Sequence, residues 1–278
     1  MSVRSLGIIG MGAIGKSVVA VLAREQSTPL ERVTLLVRPT GVAAALADLR
    51  AAGPALAGRT DVVTNVGALL ATRPELVVEC AGHGALAAFG EHILSAGCEM
   101  IVVSVGALAD AVLQDQLAAA AQRGLTRMAL TSGAIGGIDI VAAAWLSGIT
   151  SLTYTSCKPP AAWLGSPAEK LVDLAKIKSS TTFYEGTARE AARAYPKNAN
   201  VAATLALAGP GLDLTRVKLI ADPSSPGNVH SFTLLSVATD VEMRILGRPS
   251  ADNPRTSATT AFSVARDVLN RTRAIAIG

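Results

Sequence analysis

Aromatic residues make up only 3% of this 278-residue chain, and it has just three cysteines and three histidines. So few rings exclude an aromatic-rich β-sandwich core. Ala, Val, Leu and Ile must fill an interior that is easily built, since half of the residues are apolar. Cys80, Cys98 and Cys157 form no C-x-x-C pair and have no metal-ligand spacing, which excludes a disulfide scaffold and a zinc module. Cys80 and Cys98 lie within apolar runs, where free cysteine acts as a small core residue, and a reducing cytoplasm is the expected setting. The three scattered histidines have no Asp/Glu cluster beside them and provide no metal site. No G-x-S-x-G elbow marks a serine hydrolase. The net charge of +4 is dispersed, with no run of four Lys/Arg and no basic-aromatic stripe, so a nucleic-acid partner is not expected. No apolar segment approaches the roughly 18 residues that span a bilayer. No cleavage-site pattern follows the first apolar run. A soluble cytoplasmic protein is expected.

What is present is alternation. Up to about residue 131, short apolar stretches read as buried parallel strands: "SLGIIG" (5–10), "VTLLV" (33–37), "DVVTN" (61–65), "ELVVEC" (75–80), "EMIVVSV" (99–105) and "TRMAL" (126–130). Ala/Leu-rich segments such as "GKSVVAVLAREQ" and "LQDQLAAAAQRG" separate them as helices. This βαβ order predicts a doubly wound parallel sheet over residues 1–131. The pattern then changes. "GGIDIVAAAWL", "GTAREAARAY" and "ANVAATLALAG" read as helices and "TSLTYTSCK" as a half-exposed strand. "TRVKLIAD", "VHSFTLLSV" and "TDVEMRILG" read as consecutive antiparallel strands. Residues 132–278 are therefore expected to form an α+β domain with a mixed or antiparallel sheet. The closing helix, about 255–271 and preceded by Pro254, is expected to return to the first domain.

Gly10, Gly12 and Gly15 give a G-x-G-x-x-G spacing, which is cheap in a chain with 25 glycines. Gly82-His83-Gly84 followed by Ala87 is a second, relaxed match. Position decides between them, because only the first joins the opening strand to the opening helix. There Gly10 permits the turn, Gly12 admits a pyrophosphate, and Gly15 allows close helix–strand packing. Gly10, Gly12, Ala13, Ile14 and Gly15 are thus expected to bind a dinucleotide at a helix N-terminus. The second strand ends in Arg38 instead of the acidic residue that would hold a ribose 2′-hydroxyl, so NADP is expected to serve at least as well as NAD.

A nicotinamide enzyme also needs a group that moves a proton. His92, in "AFGEHILSAG", reads as a surface or helix-packing residue, and His83 follows the fourth strand, where ligands gather. His230 stands on a strand just after the turn in "SSPGNVH". Lys158, in "TSCKPP", and Lys197, in "YPKNAN", are cations able to grip a carboxylate.

The segments "SGAIGGIDIV", "KPPAAWLGSP", "FYEGTAREAARAYPKNANVAATLALAGPG", "DPSSPGNVHSF" and "DNPRTSATTAFSVA" resemble the L-aspartate dehydrogenase family, and the likeness runs through essentially the whole chain. The resemblance implies a Rossmann-type domain like that of homoserine dehydrogenase, joined to an α+β domain resembling dihydrodipicolinate reductase. It implies oxidation of L-aspartate to iminoaspartate with NAD or NADP, or the reverse amination of oxaloacetate with ammonia. It also implies a homodimer and a role in NAD biosynthesis. By the same resemblance His230 is the catalytic residue, and Ala134 and Asn200 contact the nucleotide. Asn200 could instead cap the helix that follows it. Two other readings stand beside this one: a related reductase of another imino or keto acid, and a non-catalytic NAD(P)-binding redox sensor.

Overall fold

The computed structural model describes residues 3–25, 30–196, 198–250 and 253–276. The chain divides into two compact units, residues 1–131 with 260–278, and residues 132–259.

In the first unit strands alternate with helices. The order is β1 (Ser5–Ile9), α1 (Ala13–Arg24), β2 (Arg32–Leu36), α2 (Val42–Ala52), α3 (Pro54–Ala57), β3 (Thr60–Val63), α4 (Val66–Ala71), β4 (Leu76–Glu79), α5 (His83–Ser95), β5 (Glu99–Val102), α6 (Ala111–Arg123) and β6 (Met128–Leu130). All six strands run parallel in the order β3-β2-β1-β4-β5-β6. The short strands are almost wholly apolar because both faces of such a sheet are covered. Leu6, Ile8, Leu35, Leu76 and Val78 are fully buried. Strand order reverses between β1 and β4, and ligands of open α/β sheets bind beyond the carboxyl ends of the strands at such a point.

The second unit opens with α7 (Ile138–Ser147) and β7 (Ile149–Lys158). It continues through β8 (Thr181–Thr187), α8 (Ala188–Ala194), α9 (Asn200–Ala208), β9 (Arg216–Ala221), β10 (Asn228–Ser236) and β11 (Asp240–Gly247). A short pair, β12 (Pro249–Ser250) and β13 (Asn253–Ser257), precedes α10 (Ala258–Leu269). Its main sheet is mixed, in the order β11-β10-β7-β9-β8. The α/β class with a second, mixed sheet is as the sequence predicted, but three local readings change. First, the strands from 215 to 247 are not one antiparallel succession. β10 and β11 form a hairpin, whereas β9 pairs parallel to β7 and antiparallel to β8. Second, β8 was not foreseen. Gly186 and Thr187, assigned to a helix, end that strand, and the helix begins at Ala188 behind a reciprocal cap between Thr187 and Glu190. Third, the closing helix begins at Ala258, because residues 253–257 pair with β12 as a strand.

Candidate active site

The turn after β1 is shaped by its glycines. Gly10 has φ +91°, a left-handed conformation, and a Cβ there would lie 2.9 Å from the Ala81 Cβ. A Cβ on Gly15 would approach the Gly10 carbonyl oxygen to 2.3 Å, so only glycine allows the first turn of α1 to sit so close to β1. Gly12 differs from both. It is exposed, and its Cβ would meet nothing within 4 Å. It is also the N-cap of α1, whose first turn has no side-chain cap and no acidic residue. Backbone N–H groups there are thus left for an anion, and the missing Cβ leaves space for one to approach.

This turn borders a cavity of about 820 Å³ in the first unit, lined among others by Gly10, Gly12, Arg38, Cys80, Ala81 and Gly84. Arg38 is exposed two residues beyond β2, which ends at Leu36 and not at the arginine, and no described carboxylate pairs with it. The fit to a dinucleotide is good on the structure's own terms: an open glycine, an uncapped helix start, and a free guanidinium on one cavity wall. Ala13, Ile14 and Gly15 form the opening turn of α1 behind that wall. Half-buried His83 opens α5, and His92 is exposed on the same helix.

Sequence reasoning missed the group that shapes the opposite wall. Glu79 is fully buried at the end of β4. Its Oε1 accepts from the N–H groups of Ala81 (2.8 Å) and Gly82 (2.7 Å) and from the Ser104 hydroxyl (3.0 Å). Its Oε2 accepts from the Ser104 N–H at 3.0 Å. One carboxylate thereby ties the loops after β4 and β5 together. Four donors offset the burial of its charge.

In the second unit, residues 152, 154, 156 and 158 of β7 lie on its buried face, as period-two alternation requires. Along that face the side chains pass from Leu152 through Tyr154 and Ser156 to Lys158. His230 of β10 lies directly across from Ser156, so Tyr154 and Lys158 flank it diagonally. The Tyr154 hydroxyl and His230 Nδ1 are 2.6 Å apart, and both side chains are buried. Lys158 Nζ donates to Asn198 Oδ1 at 3.3 Å and stands 5.0 Å from the ring centre of Trp163. Trp163 is itself fully buried and anchored by its indole N–H on the Ile220 carbonyl at 3.0 Å.

Burial pushes the Lys158 ammonium down to about 8. Burial, reinforced by the nearby Lys158 charge, pushes the His230 imidazole down to about 3, so this histidine is neutral near pH 7. Burial raises the Tyr154 phenol well above its ordinary value, so it keeps its proton. The arrangement is a cation beside a neutral imidazole on one buried sheet face, able to attract a carboxylate and to handle one proton.

The second-unit candidates from the sequence are placed as follows. His230 and Lys158 come together. Ala134 is buried in the loop before α7, and half-buried Asn200 is the first residue of α9. Asn200 does not cap that helix. The N-cap is Ala199, with no side-chain capping bond. Lys197 lies outside the described residues. Tyr154 was legible in principle, since it shares parity with Lys158 in "TYTSCK". Asn198 and Trp163 had no signal beyond lying in the motifs "KNAN" and "KPPAAW".

Residues 139–271 match the family described as aspartate dehydrogenase, C-terminal, and residues 10–131 the homoserine dehydrogenase NAD-binding domain. The chain is 46% identical over 275 residues to an L-aspartate dehydrogenase of Cupriavidus taiwanensis, covering 98% of this chain and 99% of that one. It is 45% identical to an L-aspartate dehydrogenase of Pseudomonas aeruginosa, covering 97% and 98%. The chain belongs to the L-aspartate dehydrogenase family. Its fold matches the crystal structure of aspartate dehydrogenase from Thermotoga maritima, with a TM-score of 0.74, 24% identity, and 99% of each chain covered. A hyperthermophilic archaeal homoserine dehydrogenase in complex with NADPH shares the fold more distantly, with a TM-score of 0.58, 13% identity, and 98% of each chain covered. The motifs that carry the aspartate dehydrogenase resemblance, "KPPAAW", "KNAN" and "GNVH", are those whose residues meet around Lys158 in the second unit.

Proposed function

We propose that the chain is an NAD(P)-dependent L-aspartate dehydrogenase, converting L-aspartate to iminoaspartate, and on to oxaloacetate and ammonia, and catalysing the reverse reductive amination. The observation that carries this reading is Lys158 next to neutral His230 on one buried sheet face. A buried ammonium whose bonded partner is a neutral amide calls for an anionic ligand, and a substrate carboxylate supplies one. Lys197 is a second, weaker candidate for that carboxylate. The bound nicotinamide supplies the hydride acceptor or donor. For its binding, Gly10, Gly12, Ala13, Ile14 and Gly15 would hold the pyrophosphate and Arg38 the ribose end. Ala134 and Asn200 are the proposed nucleotide contacts of the second unit.

The protein's own task is the proton. An α-ammonium nitrogen has no lone pair to form the imine, so a proton must leave before hydride can. His230 is the group proposed to receive it, and to return it in the reverse direction. Released iminoaspartate could then serve NAD biosynthesis. A cytoplasmic homodimer is the proposed form. It is supported by Trp145, Leu146 and Val237, large apolar side chains exposed on the second unit, and sedimentation velocity is the check.

The test follows the absorbance of NADH or NADPH with oxaloacetate and ammonia, and again without ammonia. Ammonia-dependent oxidation is expected, with NADPH used at least as well as NADH and that ratio lowered in Arg38→Ala. Oxidation without ammonia would point to a keto-acid reductase. Binding without any turnover would point to a redox sensor.

A further inference from the structure

We infer that Tyr154 is a positioning residue: its hydroxyl accepts the Nδ1 hydrogen of His230 and so leaves the Nε2 lone pair as the site of proton transfer. This rests on the assignment of His230 as the proton-handling group. The geometry is specific. Tyr154 and Lys158 lie four residues apart on one face of β7, with His230 facing the midpoint between them. Nδ1 is committed to the Tyr154 hydroxyl at 2.6 Å. Both residues are buried, so water does not compete for this bond.

Two neutral tautomers are compatible with a phenol at Nδ1, because a hydroxyl can donate or accept. The charge beside the ring decides between them. The Lys158 ammonium acts on the imidazole from the other side of Ser156 and disfavours positive character there. A lone pair on the edge away from Tyr154 is attracted to that ammonium, whereas an N–H dipole is repelled. The hydrogen therefore belongs on Nδ1, directed at the phenol oxygen.

The proton step then balances without rearrangement. In the oxidative direction Nε2 takes a proton from the substrate ammonium, giving an imidazolium whose Nδ1–H bond to Tyr154 is already formed. In the reductive direction Nε2–H returns that proton to the amine. The phenol keeps its own proton throughout and acts only through His230, holding the ring and its tautomer as a third group orients a general base.

The experiment is nitrogen NMR of the full-length protein carrying ¹⁵N-labelled histidine, with the His230 signals assigned by comparison with His230→Asn. In the wild type Nδ1 is expected to be the protonated nitrogen and Nε2 the unprotonated one. Tyr154→Phe is expected to give a mixture of tautomers. Its kcat should fall about 10- to 100-fold, with the KM for NADPH changed less than about twofold. An Nε2–H tautomer in the wild type overturns the inference. So does a Tyr154→Phe variant that keeps both the Nδ1–H tautomer and its kcat. The wild-type spectrum decides the tautomer even if the variant fails to fold. The aspartate dehydrogenase reading fails separately, if the wild type does not turn over aspartate, and the assignment of His230 fails if His230→Asn stays active.

Discussion

A lysine and a histidine buried side by side are each costly, and together they set how stability depends on pH. Lys158 falls from its ordinary 10.5 to about 8 in the folded protein. Between those values the unfolded chain binds the extra proton, so stability rises as pH climbs from about 8 to 10.5. The maximal slope for one group is about 1.4 kcal/mol per pH unit. Lys158→Met fills much of the same space without the charge, so it should melt at or above the wild-type temperature at pH 7 and lack that alkaline rise. Its KM for oxaloacetate should increase at least about tenfold, with the KM for NADPH nearly unchanged, because the lost cation is the proposed carboxylate partner. Thermal melts across the alkaline range and steady-state kinetics check both parts. A variant with unchanged oxaloacetate KM would remove Lys158 from substrate binding. His230 acts in the same sense, in a lower pH window. Its imidazole is neutral down to about pH 3, so stability it contributes at neutral pH is lost as pH falls from about 6.5 towards that value.

Single elements show how one residue type serves different ends. In the turn from β1 to α1, Gly15 is required by the protein's own packing, whereas Gly12 is proposed to serve the bound cofactor. Gly15→Ala would force a Cβ to within 2.3 Å of the Gly10 oxygen, so α1 must shift and the melting temperature should fall by several degrees. Gly12→Ala meets no atom of the protein within 4 Å and should fold normally while losing at least about tenfold in NADPH affinity. Calorimetry and fluorescence titration of the two variants separate the roles. Equal NADPH affinity in Gly12→Ala and wild type would remove the turn from the cofactor site. The opposite wall depends on β4 ending in Glu79, whose four accepted hydrogen bonds set the loops after β4 and β5.

At the scale of the whole molecule, the chain leaves its second unit and finishes in the first. Val264, Val268 and Leu269 of α10 are buried in the core formed with Val18, Leu22 and Leu35. Exposing three such side chains costs roughly 5 kcal/mol or more, which is comparable to the net stability of a domain. A chain ending at residue 259 is therefore expected to lose the cooperative unfolding of its first unit together with NADPH binding. Retention of tight binding by that truncated protein would show the helix to be dispensable.

The sequence alone determined the parallel sheet, because short apolar runs separated by Ala/Leu helices have few other ways to bury both strand faces. It also singled out the glycine turn and the histidine on β10 as candidates, through position and through motifs that resemble a known family. It could not show which strands of the second sheet are neighbours. β7 and β9 pair Thr153 with Arg216 and Cys157 with Ile220, residues far apart in the chain, and that pairing depends on long-range register that local pattern does not encode. For the same reason Tyr154, Asn198 and Glu79 stayed hidden. A buried polar residue is recognised by the partners that satisfy it, and only the tertiary structure brings those partners from distant parts of the chain.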